Sequence, residues 1–428
     1  MEKKEFEPTI VQDGDQVKKE FAQHWGSSYF NIFNGKAYVD FVGIILKKNE
    51  ILFSFPKHFS FGELSSKEKS YAMKEILFLI TKGISFNFSK NSNNAFPIDS
   101  YLMIQDYYKQ YGLHFVTTRL YVQGYDGHID WHRTIGKSDK IIQNNGVIYL
   151  PFVTIKVRKN YEFIAECMEF VLNYVYQRLS KYLNFLTPYS KKIRNPIFSN
   201  STRCVKELKK NKNYFFKDIE KKLIDALINF FEWEASHSDN ISIVTTHFEI
   251  YWESMIELYL NYKFVGFKNN NEIEWGEEGV GVGNFTKPEQ KFIEDDEVRN
   301  SKNNKNNTPW KIEFDHFFID KDAKKIYLLD SKYIYKDGFS SFNYKQAFYY
   351  YFLKQYYGNE YKIYNGLIAP TSQEYHHKIH VNRANRPLEF QKYDDGLLIY
   401  EHYVNLNEVI KFTKNHLVEF RQKMYANK

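Results

Sequence analysis

The sequence predicts a mixed α/β protein of the α+β kind: an N-terminal mixed β/α domain, a helical connector, and a C-terminal α/β domain around a buried sheet. Three observations predict it. Short strand-like runs separated by turn residues concentrate between Gly35 and Ile155; helical periodicity dominates Tyr161 to Leu186 and Lys217 to Trp233; and from Ser242 onward helical stripes alternate with strand runs.

Taken in order, Met1 to about Gln23 is charged and polar and reads as a flexible lead-in. Tyr38 to His58 (YVDFVGIILKKNEILFSFPKH) is a strand, a Lys-Lys-Asn-Glu turn and a second strand ending in Phe-Pro-Lys-His. A helix is predicted over Ser66 to Lys82, and the Asn-rich Ser89 to Asn94 reads as a loop. This places the first domain at 1–160, the helical connector at 161–241 and the last domain at 242–428. The last is interrupted at about 268–308 by a segment rich in Asn, Gly and acidic residues, long enough to be either disordered or a functional loop. No internal repeat is present.

Within the last domain, His247 to Leu260 (HFEIYWESMIELYL) repeats apolar residues at Phe248, Tyr251, Trp252, Met255, Ile256, Tyr259 and Leu260, an amphipathic helix. Its acidic stripe is Glu249, Glu253 and Glu257; Glu249 borders the apolar face most closely and Glu257 points to solvent. Trp310 to Ile319 (WKIEFDHFFI) reads as a strand, Asp320-Lys321-Asp322 as a turn, and Lys325 to Tyr335 (KIYLLDSKYIY) as the returning strand. Phe342 to Gln355 is helix-like, and Asn407 to Met424 forms a closing helix.

The chemistry concentrates here. Asp315, then Asp330-Ser331-Lys332, then Gln346 and Tyr350 one helical turn apart, follow in the order of a metal-dependent phosphodiesterase core. Hydrolysis of a phosphodiester calls for hard oxygen ligands around Mg²⁺, with Mn²⁺ as a substitute, because the ion acidifies bound water and offsets charge building on phosphorus. Asp315 and Asp330 supply carboxylates, and the Ser331 carbonyl another oxygen. Lys332, two residues after Asp330 on the same strand face, can reach the attacked phosphate or its water. A bare Asp-x-Lys triplet usually marks a solvated edge strand, but Leu328-Leu329 and Tyr333-Ile334 flank this one, and a lone carboxylate in such a strand is costly without a cation. A structural salt bridge is the competing explanation. Glu249 or Glu253 could add a further carboxylate, with a solvated helix face equally open for either. Gln346 with Tyr350 suits holding the lysine or a phosphate oxygen; Tyr349 competes with Tyr350, and packing is open for both.

At these residues the chain resembles the PD-(D/E)XK nucleases, and more narrowly the McrC-type nuclease subunits of GTP-dependent restriction systems, LlaJI branch. The resemblance is carried by Asp315, Asp330-Ser331-Lys332-Tyr333, Lys345-Gln346 with the tyrosines after it, and Asn365 to Pro370, similar to the strand that follows the glutamine helix. Phe314 stands where the superfamily name has Pro. The Tyr38 to His58 hairpin resembles the opening of McrC-like proteins, and Gly124 to Ile135 (GYDGHIDWHRTI) a Gly-x-Ile-x-Trp-x-x-Thr-Ile segment of the LlaJI branch. Tyr161 to Ser242 and Asn269 to Asn307 are poorly covered. The resemblance implies an endonuclease subunit that cuts double-stranded DNA with Mg²⁺, docks on a ring of McrB-like AAA+ GTPases and stimulates GTP hydrolysis, GTP being bound by that partner. Asp130, Trp131 and Arg133 would be the docking contacts, with Trp131 equally suited to a core. The alternatives are a self-sufficient type II restriction endonuclease, a non-catalytic GTPase-activating adaptor, and an RNA-directed or repair nuclease on the same core.

Composition bounds these readings. The 428 residues carry a formal net charge of +7, which permits nucleic-acid contact without requiring it. Lys191-Lys192-x-Arg194 and Lys206 to Lys212 could track phosphates, although lysine runs are more often solvated helix ends. Only Cys167 and Cys204 are present, neither at zinc spacing, and no apolar run approaches a bilayer span, so a cytoplasmic protein with no membrane partner is expected. Gly136-Lys137-Ser138 ends like a Walker A loop, but Trp131 occupies the required glycine. Gly279-x-Gly281-x-Gly283 lacks the strand and helix of a dinucleotide site, and His376-His377-x-x-His380 reads as a surface strand. A nucleotide-driven system would therefore need another subunit for the nucleotide.

Overall fold

The computed structural model describes residues 7–48, 50–82, 96–160, 163–191, 195–237, 240–277, 281–287, 289–291, 311–335, 343–382 and 396–426. The chain divides into two compact units, Met1–Ala95 with Asn240–Lys428, and Phe96–Asp239. This differs from the division at 160 and 241 expected from the sequence. The reason is a long-range strand pair: Asn240–Thr245 runs antiparallel to Val42–Lys47, so the N-terminal hairpin and the start of the segment from Asn240 onward share one sheet.

In the first unit that sheet has the order Thr9–Gln12, Glu50–Phe55, Val42–Lys47, Asn240–Thr245, the first pair parallel and the others antiparallel. The predicted hairpin is thus present. From Glu7 onward the predicted lead-in is replaced by ordered elements: Thr9–Gln12 is a sheet strand and Lys19–Trp25 a helix whose Ala22 and Trp25 enter the core with Phe30, Phe41 and Leu52. Helix Ser66–Lys82 forms over the predicted span. Ser89 to Asn94 lies outside the described residues.

The second sheet of this unit carries the candidate site residues Asp330 and Ser331. Its order is His316–Asp320, Lys325–Ser331, Lys362–Thr371, Leu398–Asn405, His376–Asn382; the three middle strands are mutually parallel and the edges antiparallel. Lys325–Ser331 and Lys362–Thr371 are buried nearly throughout, as parallel strands covered on both faces must be. Helix Asn343–Tyr357 makes the crossover between them, since parallel neighbours cannot be joined by a tight turn. Helix Phe248–Lys263 buries all seven apolar residues of the predicted stripe, with the Trp252 indole N–H donating to the Ile368 carbonyl at 3.5 Å. Helix Leu406–Ala426 lies against it through Tyr259 and Phe412, whose ring centroids are 5.1 Å apart.

The expected strand Trp310 to Ile319 is two strands, Lys311–Glu313 and His316–Asp320, with the chain bending at Asp315; Trp310 and Phe342 lie outside the described residues. Within the predicted insert the described residues include Ile273–Trp275, paired with Phe264–Phe267, and Glu289–Lys291, paired with Lys311–Glu313.

The second unit contains helices Ile98–Tyr111, Phe163–Leu179, Ser201–Asn211 and Asp218–His237. Phe170, Phe198 and Phe231 stack among them at centroid separations of 5.0–6.0 Å. Beside this helical core the unit carries a three-stranded sheet, Val116–Gln123, Val153–Asn160 and His128–Ile129, then helix Trp131–Lys137 and a two-stranded hairpin, Asp139–Gln143 with Gly146–Leu150. Lysines of the 206–212 run are engaged by carboxylates, Lys209 by Glu232 at 2.7 Å and Lys212 by Asp225 at 2.5 Å, as on a solvated helix face. Among the described residues, no helix is long and apolar enough to cross a membrane.

Candidate active site

Asp315 sits at the bend that opens the edge strand, and its position is set by Phe314, fully buried and stacked on Phe317 at 5.0 Å. A large aromatic anchor therefore occupies the position of the superfamily's proline. Because His316 pairs with Leu329, the next residues out, Asp315 and Asp330, meet at the end of the pair. The Ser331 N–H donates to Asp315 Oδ2 at 3.2 Å. Lys332 lies just past its strand, yet its N–H still donates to the Ile368 carbonyl at 2.8 Å, which holds the backbone in parallel register where the side chain leaves.

Two ammonium groups meet the two carboxyls. Lys332 Nζ forms an ion pair with Asp330, lies 3.8 Å from Asp315 Oδ2 and donates to the Ser331 carbonyl at 3.3 Å. Lys345, from the first turn of the crossover helix, reaches Asp330 Oδ1 at 3.3 Å and Asp315 Oδ1 at 3.9 Å. Burial pushes the Asp315 carboxyl up to about 7, reinforced by the Asp330 charge and the hydrogen bond between the two carboxyls, against the pull of both lysines. Burial also opposes ionisation of Asp330, but the hydrogen bond from Asp315 and the two lysines outweigh it and hold Asp330 below the usual carboxylate range. Near neutrality the pair thus shares one proton, Asp330 carrying the charge. Burial likewise disfavours the charged Lys345, and the carboxylates more than reverse this, raising its pKa.

His316 completes the floor. It is fully buried, its Nε2 lies 2.6 Å from Ser331 Oγ, and burial first, then nearby Lys287, push its pKa down to about 3, so it is neutral. Sequence reasoning missed it; a histidine inside the apolar run after Asp315 was the available signal. It also gave Lys345 no role, because which helix face meets the strand end is decided by tertiary packing.

The remaining predicted residues divide. Gln346 is fully buried beside this cluster in sequence; its main-chain carbonyl accepts from Asn365 Nδ2 at 3.1 Å, while both atoms of its carboxamide have no hydrogen-bond partner among the described residues. Tyr349 leans on Phe314, donates to the Glu313 carbonyl at 3.1 Å and has Lys345 Nζ over its ring at 5.4 Å. Tyr350 packs instead with Leu367, Ala369, Leu397 and Ile399. Glu249 bonds His247 Nδ1 at 2.9 Å, and Glu253 pairs with Lys287. Neither is gathered with the two aspartates: among the described residues no cluster of three or more His, Cys, Asp or Glu could hold a metal ion. The donor set of Asp315, Asp330 and the Ser331 carbonyl nevertheless suits Mg²⁺, which typically takes one or two carboxylates and completes its shell with water and phosphate. The shared proton and the two lysine ammoniums mark the same spot as one that calls for positive charge. His380 of the histidine run is bound to Glu401 at 2.6 Å on an edge strand.

A LlaJI restriction endonuclease family model matches residues 41–346, well over half of the chain and including every residue from Asp315 to Gln346. The chain belongs to the LlaJI restriction endonuclease family. No curated protein sequence matches this LlaJI-family chain. Two solved structures from Thermococcus gammatolerans resemble it distantly. One is a half-complex of McrB AAA+ hexamers with bound McrC, at 11% identity and TM-score 0.37, covering 96% of this chain and 100% of that one. The other is the McrBC complex, at 9% identity and TM-score 0.22, covering 53% of this chain and 79% of that one.

In the second unit of the LlaJI-family chain, Asp130 caps helix Trp131–Lys137 by accepting the Arg133 N–H at 3.0 Å. Arg133 also pairs with Asp130 at 3.3 Å and lies 3.3 Å over the Tyr121 ring. Trp131 is 55% exposed, so it is not core, and the neighbouring hairpin exposes Ile141, Ile142, Val147 and Ile148, with Ile142 at 80%.

Proposed function

We propose that this chain is a Mg²⁺-dependent endonuclease subunit that cuts double-stranded DNA and works with an McrB-like AAA+ GTPase, whose GTP hydrolysis it stimulates. The observation that carries the nuclease reading is the convergence of Asp315, Asp330, Lys332 and Lys345 at the end of a buried parallel strand, within the span of the restriction-endonuclease family match. Asp315, Asp330 and the Ser331 carbonyl would hold the ion, which supplies an acidified water and positive charge against the scissile phosphate. Asp330 enters ionised and Asp315 gives up the shared proton. Lys332 and Lys345, released from the carboxylates, are placed to donate to phosphate oxygens and to orient the attacking water. Tyr349 keeps Lys345 aligned. The partner reading is supported by the exposed Trp131 and the exposed isoleucine-valine hairpin, an apolar surface of the kind that marks a protein contact.

The test is plasmid cleavage with Mg²⁺, comparing wild type with Asp330→Ala, each alone and each with the AAA+ partner plus GTP. Cutting by wild type only, and only with partner and GTP, is expected. Cutting by wild type alone would replace the motor-dependent reading with a self-sufficient restriction enzyme. GTPase stimulation by both proteins without any cutting would leave an adaptor.

A further inference from the structure

The three residues that follow the candidate catalytic lysine, Tyr333, Ile334 and Tyr335, are all held by residues more than 270 positions earlier in the chain. The Tyr333 hydroxyl accepts the Lys57 N–H at 2.7 Å and donates to the Asp13 carboxylate. The Lys57 ammonium lies 4.7 Å over the Tyr333 ring and 3.7 Å from Asp13 Oδ2. His58 Nε2 donates to the Ile334 carbonyl at 2.8 Å. The Tyr335 hydroxyl donates to the Asp13 carbonyl at 2.5 Å.

Two backbone features show how closely the two segments fit. Gly14 has φ +90°, and a Cβ there would lie 2.0 Å from the Tyr335 ring, so the turn admits the tyrosine only because position 14 has no side chain. His58, not a glycine, has φ +64°, a conformation that costs energy and persists where its surroundings impose it. The Phe-Pro-Lys-His end of the first hairpin, which the site chemistry leaves unused, thereby acquires a role.

We propose that the Asp13-Gly14 turn and the Lys57-His58 hairpin end form a clamp that positions Lys332, and with it the strand end bearing Asp330, for the reaction. Asp13, Lys57 and Tyr333 are positioning residues: they touch neither the ion nor the phosphate, and act by fixing the backbone that leaves Lys332. Ile368 secures that backbone on one side of Lys332, and the clamp secures it on the other. This rests on the nuclease reading above for its catalytic consequence, not for the clamp itself.

The experiment uses the full chain with Tyr333→Phe, Asp13→Ala and Asp13→Asn, and reads two quantities. Amide hydrogen exchange over 332–335 reports the clamp, and single-turnover DNA cleavage with Mg²⁺ and the partner reports its use, with DNA affinity measured in Ca²⁺. Tyr333→Phe and Asp13→Ala should each raise local exchange by about tenfold or more without changing exchange in helix Phe248–Lys263. They should slow cleavage by about 10- to 100-fold with DNA affinity unchanged, as expected for a misplaced catalytic group. Asp13→Asn, which still accepts from Tyr333, should retain most of the rate. Unchanged exchange in both disruptive variants overturns the clamp, and raised exchange with a wild-type cleavage rate overturns its positioning role. A wild type that cuts no DNA removes the nuclease reading, and exchange alone then decides whether the clamp stands.

Discussion

At Asp315 the protein holds a proton that the proposed metal ion would have to expel. With its carboxyl pushed up to about 7 by burial and by Asp330, this group is protonated below neutrality and free above it. Metal affinity should therefore climb with pH up to about 7, by roughly tenfold per unit on the acid side, and level off beyond it. Titration calorimetry with Mn²⁺ at pH 6 in buffers of different ionisation enthalpy should show about one proton released per ion bound, and almost none at pH 8.5. Lys345→Ala removes one of the two cations that favour the ionised form, so it should move the release to higher pH; no change would show that Lys345 does not face the pair. The aspartates and Lys332 were legible in the sequence because a strand pair with a tight connection fixes their proximity locally. Lys345, and the choice between Tyr349 and Tyr350, were not. Adjacent helical residues point about 100° apart, so one of these tyrosines meets Phe314 and the other Leu367, and only the packing of the helix on the sheet decides which.

Among the elements, the first hairpin depends on a glycine. Gly43 has φ +137°, and a Cβ there would lie 2.2 Å from the Ile243 carbonyl oxygen of the paired strand. Gly43→Ala therefore adds a backbone clash to an unfavourable φ and should lower the unfolding free energy by roughly 2–4 kcal/mol. Gly35→Ala is the control: its φ is +76° but nothing among the described residues lies within 4 Å, so only the conformational cost of about 1–2 kcal/mol applies. Urea unfolding of the two variants separates the terms. Helices Ser66–Lys82 and Phe248–Lys263 follow closely from the sequence because their apolar stripes are a local property with a fixed period. The pairing of Val42–Lys47 with Asn240–Thr245 carries no such mark, since any apolar strand suits any apolar edge. This is why the unit boundaries fall elsewhere than composition suggests.

On the scale of the whole molecule, the candidate chemistry lies in one compact unit and the exposed apolar hairpin in the other. Changes to that hairpin should separate partner dependence from bond cleavage. Ile142→Asp with Val147→Asp, cross-strand partners on one face of the hairpin, should leave the thermal midpoint and Mn²⁺ binding at wild-type values while reducing stimulation of the partner's GTPase by at least about tenfold, since charged residues at the centre of a contact are strongly disfavoured. Stimulation at the wild-type level would move the contact elsewhere. The net charge of +7 does not by itself point to a DNA path, and in the lysine run at 206–212 both Lys209 and Lys212 are engaged by carboxylates. The shared sheet also has a consequence during synthesis. The edge of Val42–Lys47 stays open until Thr245 has left the ribosome, about 190 residues after Phe55. At ~5–20 residues per second that is roughly 10–40 s with an apolar edge available to other nascent chains. The nascent chain must therefore be kept from aggregating for nearly half of its synthesis, and slowing translation or crowding ribosomes on one message should lower the soluble yield of this protein more than that of a chain whose sheets close in sequence order.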